Sequence, residues 1–545
     1  MEQVADVLLH FPPPGQDVQQ LADDAFDAQI KIHAHHIQKL FKESVHVIAA
    51  NATELLDCLD PAVHTYSYLS LLDTAIPTDY ALYPSVPPVI VSKIVALLAV
   101  FDPRQVRYIG SAFTHVFTVV GSGKIIPAPL AVQLLSRALQ AVDPSGHMLT
   151  SNHLTLAKLA YHTRNPAAAL PILSKDVVFF PGAAHNREVE YLCSRDLAAP
   201  WYISKDTGLT LPLRSAQVLE FDFTVGLLHL STRAWAAAHA AFARVVAYPS
   251  RDTGVSKFMV EAHKFWVLTG LLLYGRVAAT PPETAGAVSR VCSSVNKLYL
   301  QIADHFQSAN VEKLRLEVAM AQEVLVADGT ASLVGEVVSA YPKWQIAHLR
   351  NVYLTIPISA IRATLQQTSN VTGTMAGLEP QDDVAGFSEA EVTALIQEMI
   401  ASGMIKAVLR SAETIPTAPA STATAAASSS TIQGTPIEVD GGQPQPGVYL
   451  EFLPEEEDIS ESDFATRIAA IKMRLQTLQK LQRTTDEHLS LNRDYVRHVV
   501  RSQTLDKDSQ GEDDMGGLMA IGSSEGIGLE DPDEDLMMDG PDPSM

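Results

Sequence analysis

The sequence predicts a mainly α protein: a solenoid of stacked helix pairs, then a winged helix, one long helix, and an acidic tail expected to be disordered. Three observations carry this. Up to about residue 340, apolar residues recur at spacings of three and four, and alternating strand patterns are nearly absent. Between 340 and 460 the pattern gives way to a short capped helix, a glycine stop and two strand-like runs. From Phe464 to Leu478 one apolar seam continues unbroken, and the chain then turns acidic.

Length and composition bound the rest. A chain of 545 residues is too long for one core, and about 150 residues per domain gives three or so units. With 47% hydrophobic and 19% charged residues and a mean hydropathy of +0.09, the composition is that of a soluble globular protein. No apolar run reaches the ~18 to 20 residues of a membrane span. The most apolar stretch, "SVPPVIVSKIVALLAVF", is interrupted by Pro87, Pro88 and Lys93 and reads as a buried helix. Glu2 and Asp6 stand where a secretory signal would carry positive charge, so an intracellular protein is expected. Cys58, Cys193 and Cys292 are too far apart for a metal knuckle and are expected to be ordinary buried thiols.

In order, residues 1–90 are expected to form an N-terminal helical region and 91–340 a helical-repeat solenoid resembling tetratricopeptide pairs. "FTVGLLHLSTRAWAAAHAAFARVVAYPS" places Gly226, Ala238, Phe242 and Pro249 near the spacing at which such pairs set small residues against large ones. "LTLAKLAYHTRNPAAALPIL" is a shorter relative that breaks at Asn165-Pro166. Stacked pairs of this kind offer surface more than a pocket.

The winged helix is expected over 341–455. "YPKWQIAHLRNVYLTI" reads as an amphipathic helix, and Pro357 suits the first turn of the next, "PISAIRATL". An insert over 366–387 follows. Ser388 and Glu391 form a capping box ahead of the apolar stripe Val392, Leu395, Ile396, Met399 and Ile400. Gly403 supplies a left-handed stop. "MIKAVL" then reads as a strand and "GVYLEFL" as its partner, with 412–446, rich in Ala, Ser, Thr and Pro, as a lengthened disordered wing. Because loop closure grows only with the logarithm of length, a wing of about 35 residues adds only about 2 kcal/mol. A bundle helix is expected over 460–502, with Phe464, Ile468, Ile471, Leu475 and Leu478 on one seam at 4-3-4-3 spacing. The tail, 505–545, is expected to be disordered: 506–542 holds 13 acidic residues against Lys507 alone, about half of the net charge of −23. An acidic body of this kind repels phosphate backbones.

Three near-motifs for chemistry fail. "VVGSGKII" would need Gly at 118 and Ser or Thr at 125 to cradle phosphate, and holds Thr118 and Ile125. His33 and His35 begin a pattern like that of a metalloisopeptidase, but Glu43 and His46 stand where Ser and Asp would be required, so a solvated helix face is expected. The helix after Ser388 carries Glu389, Glu391 and Glu398 and no basic residue, which argues against DNA reading and for protein contact. No catalytic residue, cofactor or metal is expected.

"IAHLRNVYLTIPISAI", "VTALIQEMIASGMIKAVL" and "GVYLEF" resemble the PCI family, whose members build the proteasome lid, the COP9 signalosome and a translation initiation factor. "RQVRYIGSAFTHVF", "MLTSNHLTLAKLAYHTRNPAAALPIL", "VEAHKFWVLTGLLLYGRV" and "SLVGEVVSAYPKWQIAHLRNVYLTI" are similar to helices of a signalosome member and extend the likeness over much of 100–500. Departures are Pro357 in place of a capping Ser, Arg362 in place of a small residue, and the longer insert at 366–387. The resemblance implies a non-catalytic scaffold in the complex that removes a ubiquitin-like modifier from cullins, in cytoplasm and nucleus. Its partners would be other PCI subunits and the metalloisopeptidase subunit, and cullin-RING ligases indirectly, with neither membrane nor nucleic acid. The alternatives are a lid or initiation-factor subunit and, more distantly, a nucleic-acid-binding PCI protein. Since such families join winged helices edge to edge, Ile405, Ala407, Tyr449 and Phe452 become strand-edge candidates. The seam from Phe464 to Leu478 becomes a contribution to a shared helical bundle.

Overall fold

The computed structural model describes residues 2–13, 18–181, 191–249, 254–308, 311–369, 388–411, 448–453, 461–491 and 496–497. The chain divides into two units, Met1–Asp458 and Ile459–Met545. Among the described residues no helix is long and apolar enough to cross a membrane. The expected wing at 412–446, the tail at 505–545 and most of the insert at 366–387 lie outside the described residues.

In the first unit a short helix, Glu2–Leu8, precedes the long helix Asp23–Ala50, whose inner face carries Phe26, Ile30 and Ile37. His33 lies on that same face and is 1% exposed, so the solvated face expected there belongs to His35 and His36 only. The buried ring bonds through Nε2 to Ser67 Oγ at 2.9 Å, and Ser67 Oγ donates to the Leu8 carbonyl at 2.7 Å. The apolar stretch forms the helix Pro88–Val100, with Ile90, Ile94, Leu97 and Leu98 buried. Arg104, itself buried, donates to the carbonyls of Val18 and Cys193 and to the Asp23 carboxylate, tying three distant segments together. Of the three thiols, Cys193 and Cys292 are buried and Cys58 is exposed, because it caps a short helix at a turn.

The repeat is visible as geometry. The pairs Ser151–His162 with Pro166–Leu173, and Ser215–Ser231 with Trp235–Val246, turn through Thr163-Arg164 and Thr232-Arg233. Both arginines adopt left-handed backbone, at φ 52° and 56°. Both turns close with a 3.0 Å bond from the next amide, Asn165 to the Ala160 carbonyl and Ala234 to the His229 carbonyl. Gly226 lies against the Phe242 ring so closely that a Cβ there would sit 2.7 Å from it. Small against large is thus how this pair packs. From here a continuous core runs through Trp266, Leu268, Tyr299 and Val334 to Tyr341.

After the helix Ala331–Leu349 the chain adds a strand that the sequence reading lacked: β1, Thr355–Pro357. Pro357 therefore ends a strand, and the next helix starts one residue later, at Ile358–Ser369. Proline is tolerated there because β1 is a short edge strand. The capped helix spans Glu389–Ala401, followed by β2, Ala407–Ser411, and β3, Val448–Phe452. The sheet is antiparallel in the order β1-β3-β2. Ile356, Ile361, Val392, Ile396, Met399 and Leu450 close its core.

Of the second unit the described residues form mainly the helix Glu461–Leu491. Every residue from Phe464 to Lys480 is exposed.

Candidate assembly surfaces

The winged helix is held by local devices that can be followed residue by residue. The Ser388 amide donates to Glu391 Oε2 at 2.8 Å, and the Glu391 amide donates back to Ser388 Oγ at 3.2 Å. These bonds hold the Glu391 carboxyl below its ordinary value, since they favour its charged form. At the other end Gly403 takes φ 72°, and the Met404 amide reaches back to the Met399 carbonyl at 2.9 Å. This turn reverses the chain and delivers Ile405 into the core and β2 onto the sheet.

That delivery corrects the strand-edge candidates. Ile405, Ala407 and Phe452 are 3%, 4% and 4% exposed, so their side chains fill the domain's own core. Tyr449 is half-buried and lies on β3, opposite Pro357 on one side and Arg410 on the other. With β1 on one side and β2 on the other, β3 is central and Tyr449 and Phe452 have no free edge, whereas Ile405 and Ala407 are buried because their side chains face the helices Ile358–Ser369 and Glu389–Ala401. Sequence reasoning missed β1 because its proline reads as a helix start.

What remains open is backbone. The Leu453 amide bonds the Lys406 carbonyl at 2.9 Å, which fixes the phase of the β2–β3 ladder. By the alternation of antiparallel pairing, Lys406, Val408 and Arg410 then bond inward, whereas Ala407, Leu409 and Ser411 turn their amide and carbonyl groups outward. Among the described residues β2 is paired on that one side only. An unpaired edge of this kind can receive another strand. Arg410 and Glu451 pair across β2 and β3, which keeps the edge strand in register.

At the opposite edge, Val352, Tyr353 and Leu354 lead into β1 at 72%, 47% and 79% exposure. The amphipathic pattern of "YPKWQIAHLRNVYLTI" places them at the end of a helix, but the helix stops at Leu349. Their uninterrupted apolar run before a proline was the signal that could have marked them.

The seam of the C-terminal helix is the other candidate. Phe464, Ile468, Ile471, Leu475 and Leu478 are 48–59% exposed and fall on one helical face. Scattered exposed apolar residues need no explanation, whereas a contiguous stripe marks an interaction surface.

Among the described residues no cluster of three or more His, Cys, Asp or Glu side chains is placed to hold a metal ion. His33 is pushed down to about 4 by burial, with His10, His64 and His36 adding to the shift, and stays neutral near pH 7. The capped helix turns Glu398 to Lys343 at 2.8 Å, a contact inside the fold.

A helical-repeat body, a three-stranded winged helix with an open strand edge and a helix with an exposed apolar seam define the class as a helical-repeat scaffold of a multisubunit assembly. Residues 29–193 match the family model described as COP9 signalosome complex subunit 3, N-terminal helical repeats. The COP9 signalosome complex subunit 3 of Neurospora crassa is 30% identical over 98% of this chain and 98% of its own. That of Emericella nidulans is 30% identical over 63% of this chain and 71% of its own, and that of Drosophila melanogaster 22% over 60% and 72%. The chain belongs to the COP9 signalosome complex subunit 3 family, a family of scaffold subunits and not of enzymes.

Proposed function

We propose that this chain is a non-catalytic scaffold of the COP9 signalosome that supports cullin deneddylation, and thereby the regulation of cullin-RING ubiquitin ligases, in cytoplasm and nucleus. The observation that carries the reading is the half-exposed seam from Phe464 to Leu478, whose 4-3-4-3 spacing suits the helices of a bundle. Neighbouring PCI subunits would add to the outward edge of β2, and the metalloisopeptidase would lie in another subunit. The division of labour follows the segments: 1–90 and 91–340 as the solenoid body, 341–455 as the docking winged helix, 460–502 as the bundle helix, and 505–545 as an accessory tail. Likeness to subunit 3 relatives favours the signalosome over the proteasome lid or an initiation factor. The acidic face of the helix Glu389–Ala401 disfavours nucleic acid.

Mass spectrometry of whatever co-purifies with the tagged native chain tests this. The expected result is a set of PCI proteins and a metalloisopeptidase that together cleave modified cullin, while the lone chain neither cleaves it nor retains zinc. Recovery of lid or initiation-factor proteins instead would transfer the chain to that assembly.

A further inference from the structure

The C-terminal helix differs from the rest of the protein in charge. Between Phe464 and Thr485 it holds Arg467, Lys472, Arg474, Lys480 and Arg483 and no acidic residue, in a chain of net charge −23. At 100° per residue, Arg467 and Arg474 border the apolar seam on one side and Lys472 and Arg483 on the other. Lys472, Arg474 and Arg483 are exposed. The surface is thus an apolar stripe between two cationic rails, and its occupant needs apolar side chains interleaved with carboxylates.

Such a segment follows in the same chain. Residues 506–542 carry 13 acidic residues and, among them, Met515, Leu518, Met519, Ile521, Ile527, Leu529, Leu536, Met537 and Met538. About 50 residues follow Leu491, a reach of well over 100 Å, whereas the way back along the helix to Phe464 is about 40 Å. Tethering raises the local concentration of the tail to the order of millimolar. A second copy of the helix is the poorer occupant, because its cationic rails would face those of the first.

We propose that the acidic segment 506–542 lies over the seam of the helix Glu461–Leu491 in the unassembled chain, as a placeholder that shields it until partner helices displace it. The contact itself stands on charge, seam and tether. Only its consequence for assembly rests on the reading of this helix as a bundle helix.

Carbodiimide cross-linking of the isolated full-length chain, which joins lysine amines to carboxylates in direct contact, reads the contact. The expected products link Lys472, the lysine that borders the seam, to carboxylates within 506–542. They should disappear at about 0.5 M salt, where screening falls to a few Å. Hydrogen exchange gives the second readout: a chain ending at residue 504 should exchange its 464–480 amides at least about tenfold faster than the full-length chain. The peptide 505–545 added in trans should restore the protection, and a version with every Asp and Glu replaced by Asn and Gln should not. Absence of tail-to-Lys472 links at low salt, or equal exchange with and without the tail, overturns the proposal. So does equal protection by the neutral peptide. If the links form but a seam variant still enters its complex, the scaffold reading fails and the tail contact stands.

Discussion

The helix Trp235–Val246 and the C-terminal helix Glu461–Leu491 carry the same three-and-four apolar spacing and meet opposite fates. In the first, Ala238, Phe242 and Val245 are fully buried. In the second, Ile471, Leu475 and Leu478 are 59%, 54% and 52% exposed. Periodicity states that a face must be covered. It does not say by what. The first helix has its cover within tens of residues, in Gly226 and in the stacked ring of Phe265, 5.2 Å from that of Phe242. Helix stability in proteins comes mainly from such packing, so a 31-residue helix whose seam is open among the described residues would gain from a cover.

The largest way to break this contrast is to replace Ile471, Leu475 and Leu478 together by Asp. Covering the remaining half of each side chain is worth about 1 kcal/mol, and burying three carboxylates adds a larger penalty. Association with the complex should weaken by about three decades or more, read by co-purification and by affinity of the purified parts. The melting temperature of the isolated chain should not move. A variant that assembled normally would remove the seam from the interface.

The mirror experiment acts on the buried member of the pair. Phe242→Ala should destabilise the body by about 3 to 5 kcal/mol, because the ring fills the space between Gly226 and Phe265 and leaves a cavity when removed. Thermal and urea unfolding would report it. A loss below about 1 kcal/mol would mean that the solenoid core is no better covered than the open seam.

Acid should also separate the two. His33, His153 and His263 are buried in the first unit and pushed down by that burial to about 4. The unfolded chain takes up their protons near 6.5 and the folded chain does not. Their contribution is complete above about pH 6.5 and is lost as pH falls toward 4, by about 2 kcal/mol per histidine at pH 5. The melting temperature at pH 5 should fall clearly below that at pH 7. His33→Gln should flatten the slope by one histidine's share.

The smallest effect tests the repeat. Arg164 occupies left-handed backbone that glycine adopts freely, so Arg164→Gly should stabilise by about 0.5 to 1 kcal/mol after its own added chain entropy. An unchanged or lower melting temperature would show that the arginine does more in that turn than close it.

The winged helix was legible to the residue where a side chain acts on its own neighbourhood. Ser388 with Glu391, and Gly403, are recognised by bonds and backbone angles spanning four or five residues, and the structure has them as read. The strand edge was not legible. Ile405, Ala407 and Phe452 had the right composition for either an interface or a core, and only the packing of two helices on that face of the sheet decided for the core. His33 failed for the same reason, since its neighbour Ser67 is 34 residues away.

By itself the sequence determined which faces are apolar and where the helix Glu389–Ala401 starts and stops. These depend on propensity, capping and spacing, which act within a turn or two. Tertiary structure alone decided which apolar faces are spent. Phe242 is covered by the helix before its own and the helix after it, Tyr449 lies between two strands, and the outer backbone of Ala407 and Leu409 stays open because β2 has a neighbour on one side only among the described residues. Burial is a property of pairs of elements brought together over long sequence separations, and no local pattern encodes the identity of the second member.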